Sequence, residues 1–179
     1  VFSDDPRWRI EHAQIIDTSD IKLFNRKIIP SVQPTHATSD MYWAEDRLGK
    51  QRLKGAYAYK SLLKKTGRIA LGTDFPVENI STIGTFFSAV FREDKNLFPN
   101  GGYLPENKLS KLEALKGMTI WGAYANFEEK QKGSIEAGKV ADFIILDRDL
   151  LDEPKKRILN ARIVATILNG DIVYSNRIN

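Results

Sequence analysis

Three short strand-like runs, at residues 8–12 (WRIEH), 28–33 (IIPSVQ) and 68–73 (RIALGT), alternate with stretches carrying helix signals. This alternation limits the fold more than any other feature, because strand, helical crossover and strand make a parallel βαβ unit. The first connection holds Asp17-Thr18-Ser19-Asp20, a cluster of N-cap residues ahead of IKLFNRK, where a helix is expected. Pro30 is awkward inside the second run, since proline donates nothing to a ladder. After that run a long polar connection is expected, with Ser39 capping a helix over 41–48. A further helix is expected over 52–65, with Tyr57, Leu62 and Leu63 on its apolar face and Gly67 at its end.

Downstream, an apolar helix is expected over 82–91, then a Pro/Gly/Asn-rich loop over 99–107. Ser110 and Glu113 form a capping box that opens a helix to about Asn126. From Gly133 the pattern changes. GSIEAGKVAD is rich in turn residues, FIIL (143–146) is a buried-strand run, and Asn169-Gly170 joins apolar strands at 162–168 and 171–174. Asn-Gly between two such strands is a strong hairpin signal, because both residues tolerate the left-handed conformation a tight turn demands. The expectation is therefore an α/β portion over 1–132 and a small antiparallel β portion over 133–179.

The polar residues at the strand ends come next. The chain has two histidines. His12 directly follows the first run, His36 lies three residues beyond the second, and Asp74 follows the third. Parallel strands deliver all three to one rim, the carboxyl end of the sheet, where α/β enzymes place their chemistry. Two imidazoles and a carboxylate suit a Zn²⁺-type ion. Each residue also has a plainer reading: Asp74 before Phe75-Pro76 can begin a turn, and a histidine at a strand end can be structural. Arg47 is by default a solvated helix residue. Glu11 should face away from His12 and serve as an outer partner or in an ion pair. The aromatics of TFFSAVF sit at helical spacing and read as core.

Composition narrows the function classes. The net charge of +4 comes from 27 basic and 23 acidic residues that are interspersed. The longest basic run is Lys155-Lys156-Arg157, so no nucleic-acid footprint is expected. There is no cysteine, which excludes disulfides and thiolate metal sites. No apolar run approaches the roughly 18 residues of a membrane helix. The start, VFSDDPRWRIEH, has no initiating Met and no signal-peptide core and reads like the middle of a protein, so localisation is left open.

RIEHAQ, SVQPTHATSD, RLGKQRLKGAYAYKSLLKKTGRIALGTDFPVE and GSIEAGKVADFIILDRDLL, in that order, resemble the amidohydrolase superfamily, in particular its branch of metal-dependent hydrolases like N-substituted formamide deformylase. The resemblance covers nearly the whole chain. It implies a (β/α)8 TIM barrel accompanied by a small β-sandwich, with EHAQ ending barrel strand six, SVQPTH at strand seven and GTD ending strand eight. It implies that His12 binds a divalent metal, one or two zinc ions in the whole enzyme, and that Asp74 binds metal and moves protons. It further implies that His36, with Arg47 beside it, contacts an amide-type small-molecule substrate.

Such enzymes also use a His-x-His pair after strand one, a carboxylate-type ligand near strand four and a histidine of strand five. Those strands are absent from this chain, and a barrel needs about 250 residues. The expected protein is thus the C-terminal portion of a hydrolase of amide or other non-peptide C–N bonds, by itself inactive, binding metal weakly or not at all, and covering its open edges by self-association or by rearranging into an open sheet. The alternative is a catalytically inactive α/β module for binding or assembly.

Overall fold

The computed structural model describes residues 4–176. Two three-stranded sheets organise it. In the first, β1 (Trp8–Glu11), β2 (Ile28–Val32) and β3 (Ala70–Leu71) are parallel, in the order β1-β2-β3. Pro30 therefore lies in the central strand, opposite Ile10. Its position is tolerable for a geometric reason. Lys27 and Ser31 bond towards β1, through Trp8 N–H and His12 N–H, so by alternation Pro30 faces β3. There pairing starts only at Ser31.

The helices show where local signals fail. IKLFNRK forms only one 3₁₀ turn, Ile21–Leu23. The flanking side chains bond locally instead: Asp17 accepts from Ser19 N–H and Asn25 from Lys27 N–H. The polar connection expected after β2 is a helix, α1 (Pro34–Asp40), with Pro34 in its first turn, where a fixed φ and a missing N–H cost nothing. Ser39 lies inside α1 and does not cap α2 (Ala44–Leu53), which is kinked at Gly49 (φ 71°).

The helix expected over 52–65 is interrupted before α3 (Tyr59–Thr66). Residues 55–57 bond to the segment after β1, with Tyr57 N–H donating to Gln14 O and Ile16 N–H to Gly55 O, and these tertiary bonds displace the helical ones. Gly67 closes α3 in the left-handed conformation, as its position implied.

Helix α4 (Thr82–Phe91) is as expected. The Ser110–Glu113 capping box forms and opens α5 (Lys111–Met118). A break at Thr119 then separates α5 from α6 (Ile120–Ala125), so that both lie against β3. Gly117 makes the close approach possible: a Cβ there would lie 2.6 Å from Leu71 Cγ. In the second sheet β4 (Phe143–Leu146), β5 (Ile163–Leu168) and β6 (Asp171–Ser175) are antiparallel, with a short helix α7 (Lys155–Leu159) between β4 and β5. Asn169 (φ 51°) and Gly170 (φ 88°) form the hairpin turn.

One core dominates. Val32, Tyr57, Leu62, Ile69, Phe86 and Phe87 are fully buried in it, and Leu150 and Ile158 from the tail join them. Lys155 bonds the buried Glu93 (2.8 Å), and Lys111 Nζ donates to Leu151 O and Glu153 O, fastening the tail to α4 and α5. Among the described residues no helix is long and apolar enough to cross a membrane.

Candidate functional site

The parallel register does what the strand ends suggested. His12 N–H bonds Ser31 O (2.7 Å), one step beyond β1, and Gly72 N–H bonds Val32 O (3.0 Å), one step beyond β3. The chain then turns sharply at each place: His12 (φ 64°), Ala13 (φ 41°) and Asp74 (φ 61°) all adopt left-handed backbone. Such conformations in non-glycine residues cost of order 1–3 kcal/mol and concentrate at functional sites. His36 arrives differently, from the first turn of α1, where Pro34 fixes the entry from β2.

The three side chains converge. Asp74 Oδ2 lies 3.3 Å from His36 Nε2 and 4.0 Å from His12 Nδ1. The two imidazoles are stacked, with ring centroids 5.8 Å apart and planes 9° apart. One donor atom from each residue falls within a 4.8 Å span. Side-chain exposure grades from 10% for His36 through 29% for Asp74 to 49% for His12, so the cluster has a closed floor and an open side. His36 Nε2 is buried yet hydrogen-bonded to nothing; its approach to Asp74 lacks hydrogen-bond geometry. A buried imidazole nitrogen without a partner costs about 1–3 kcal/mol unless something else uses its lone pair. Nitrogen, nitrogen and oxygen donors converging in this way fit a divalent ion such as zinc.

Arg47 is not part of this cluster. It lies exposed on α2, its guanidinium 5.8 Å from the Trp43 ring centroid, and its backbone carbonyl accepts from Arg52. Glu11 pairs with Arg9 (3.2 Å), an ion pair along β1. Five neighbours were given no part in the site by the sequence. Asp40 Oδ2 accepts from Gln14 Nε2 (2.7 Å) and from Tyr57 OH (2.8 Å), and Ser39 Oγ donates to Glu78 Oε1 (2.5 Å). One signal was available: with Pro34 opening a helix, Ser39 and Asp40 stand three and four residues after His36, on its face.

The amidohydrolase family model matches residues 2–174. The protein LONG AFTER FAR-RED 3 of Arabidopsis thaliana is 35% identical over 95% of this chain, which spans 29% of that protein. The N-substituted formamide deformylase of Arthrobacter pascens is 30% identical over 66% of the chain, 21% of that enzyme. Among solved structures, an uncharacterized metal-dependent hydrolase from Pyrococcus horikoshii OT3 superposes with a TM-score of 0.72 at 30% identity. That match covers 83% of this chain and 30% of the other. The chain belongs to the amidohydrolase family, and it spans less than a third of each of these relatives.

Proposed function

We propose that the chain is the C-terminal portion of a metal-dependent hydrolase that cleaves an amide or other non-peptide C–N bond. The convergence of His12, His36 and Asp74 at one rim of the parallel sheet carries this reading. In it, β1, β2 and β3 are barrel strands six, seven and eight. Residues 1–132 are the barrel portion and 133–179 contribute to the small β-sandwich. The deformylase-like branch belongs to the same proposal, supported by the Arthrobacter pascens relative.

His12 Nδ1 and Asp74 Oδ2 are the atoms that would hold the ion, zinc being the natural candidate for such donors. Bound there, a divalent ion would lower the pKa of water and polarise a carbonyl. Asp74 is half-exposed on the open side and faces both histidines, so its free carboxylate oxygen can accept a proton from attacking water and return it to the leaving nitrogen. His36 Nε2, buried and unpartnered, either completes the ligand set or donates a hydrogen bond to the substrate carbonyl. Arg47 is retained in this reading only as an outer contact to substrate. The comparisons do not favour an inactive binding module, since family membership spans almost the entire chain.

The test is Asp74→Asn in the full-length protein. The shape is kept and the base is lost, so kcat on N-substituted amides should fall by about 10²–10⁴-fold with stability nearly unchanged. Turnover near that of the unmodified protein, with metal still bound, would leave Asp74 as a turn residue only.

A further inference from the structure

His12, His36 and Asp74 come from three separate segments, and α1 is hydrogen-bonded through its side chains to the loops of the other two. Its last two residues make both contacts. On one side, Asp40 Oδ2 accepts from Gln14, two residues after His12, and from Tyr57 OH, whose own N–H donates to Gln14 O (2.7 Å). On the other side, Ser39 Oγ donates to Glu78, whose N–H, like that of Val77, donates back to Asp74 O (3.3 and 2.8 Å). Ser39 and Asp40 share the face of α1 that carries His36. The two loops they hold begin at the left-handed residues His12 and Asp74, conformations that persist only where the surroundings over-determine them.

From these contacts we infer that Ser39-Asp40 is a two-sided clasp that sets the mutual positions of His12, His36 and Asp74: Asp40 fixes the His12 loop and Ser39, through Glu78, fixes the Asp74 loop. These are positioning residues. They act by limiting where two loops sit relative to one helix. The two halves differ in strength. Asp40 is half-buried and takes two donors on one charged oxygen, with Tyr57 buried behind it. Ser39 and Glu78 meet in solvent, through a single bond. Both kinds are charge-assisted, and exposure weakens the second.

The inference rests on the metal-site reading above, so its test has one readout that needs no metal. In the full-length protein, hydrogen exchange of peptides covering 12–18 and 74–79 is measured beside titration with Co²⁺, whose visible d–d absorption reports coordination. Asp40→Ala leaves no acceptor for Gln14 and Tyr57 at that position. It should speed exchange over 12–18, leave 74–79 unchanged, and weaken Co²⁺ binding by about 10–100-fold, the range for outer-shell partners. Gln14→Met removes the Gln14 bond from its other end, should Asp40→Ala not fold. Ser39→Ala should loosen 74–79 alone and weaken Co²⁺ binding by less than about 10-fold. Ser39→Thr and Glu78→Gln each keep a donor–acceptor pair and should restore both readouts.

Exchange unaltered by Asp40→Ala and Ser39→Ala would overturn the clasp. Faster exchange with unchanged Co²⁺ affinity and spectrum would show that the loops are held for stability alone. If the unmodified protein gave no d–d band, or kept it after His12→Ala and His36→Ala, the metal reading would fall. The exchange data would still decide whether the clasp exists.

Discussion

The two sheets contain the same number of strands and much the same residue types, yet they occupy different environments. In the parallel sheet the central strand β2 is enclosed, with Ile29 and Val32 almost fully buried beneath helices. In the antiparallel sheet only Ala165 and Ile167 of β5 are buried; Ile144, Ile145, Ile172 and Val173 are all exposed. Apolar strands thus mark different things in the two regions. Enclosure makes β2 a rigid platform, and the candidate site is delivered from its end and its neighbours' ends, as a precise constellation requires. The tail sheet offers an apolar surface without chemistry, consistent in the proposed reading with a contribution to a sandwich.

The largest expected effect separates the two regions directly. Ile29→Ala deletes a side chain that is 1% exposed, packed with Ala70 and Ala125, and should cost about 2–5 kcal/mol. Ile172→Ala, in a residue 70% exposed, should stay within about 0.5 kcal/mol. Urea unfolding of both variants of the 179-residue chain, diluted until it is monomeric, makes the comparison. Equal losses would mean that the tail sheet is covered in solution and that the contrast drawn here is mistaken.

A middle-sized effect concerns what covers the exposed strands. We propose that the isolated chain self-associates through them, since β1 is an exposed edge strand carrying Trp8 and Ile10 and the tail sheet presents Ile144 and Ile172. Light scattering should give a mass above 20.3 kDa. Ile144→Lys with Ile172→Lys should shift that mass towards the monomer if the tail sheet is responsible. An unmodified chain that is strictly monomeric at high concentration would end this proposal.

How far the sequence disclosed this arrangement follows from how local each interaction is. The Asn169-Gly170 hairpin, the Gly67 cap and the Ser110–Glu113 box depend on neighbours within a few residues, and all were legible. The convergence of His12, His36 and Asp74 was legible because parallel strands share one rim, a rule of topology. The breaks at 54–58 and Thr119, and the shortfall at residues 21–27, were not, because tertiary bonds and local side-chain turns overrode helix propensity there. Ser39 was misplaced because its role depends on Glu78, thirty-nine residues away.

The smallest effect is electrostatic and sharpens the same contrast between an anchored region and a loosely covered one. Burial alone would raise the Glu113 carboxyl, but Lys60 Nζ at 2.5 and 2.6 Å, with Ser110 N–H at 2.7 Å, outweighs it and holds the group below its ordinary 4.5. A depressed carboxyl stabilises the fold fully above its unfolded pKa, and that contribution disappears as pH falls through the folded value. Glu113→Gln keeps an acceptor for the capping box and removes only the charge. At neutral pH it should therefore cost no more than about 1 kcal/mol. Because the unmodified chain loses its advantage on protonation, the gap between the two should close as pH falls below the ordinary 4.5 and through the lower folded value. In the tail, Glu136 is also held low, by Ser134 first and then Lys139, but its side chain is 63% exposed. Solvent screens that pair, and Glu136→Gln should show no measurable gap at any pH. Thermal unfolding across the acid range compares the two. A Glu113→Gln gap that persists undiminished to the lowest pH would show that the Lys60 pairing contributes nothing through its charge, and that α3 and α5 are held together by packing alone.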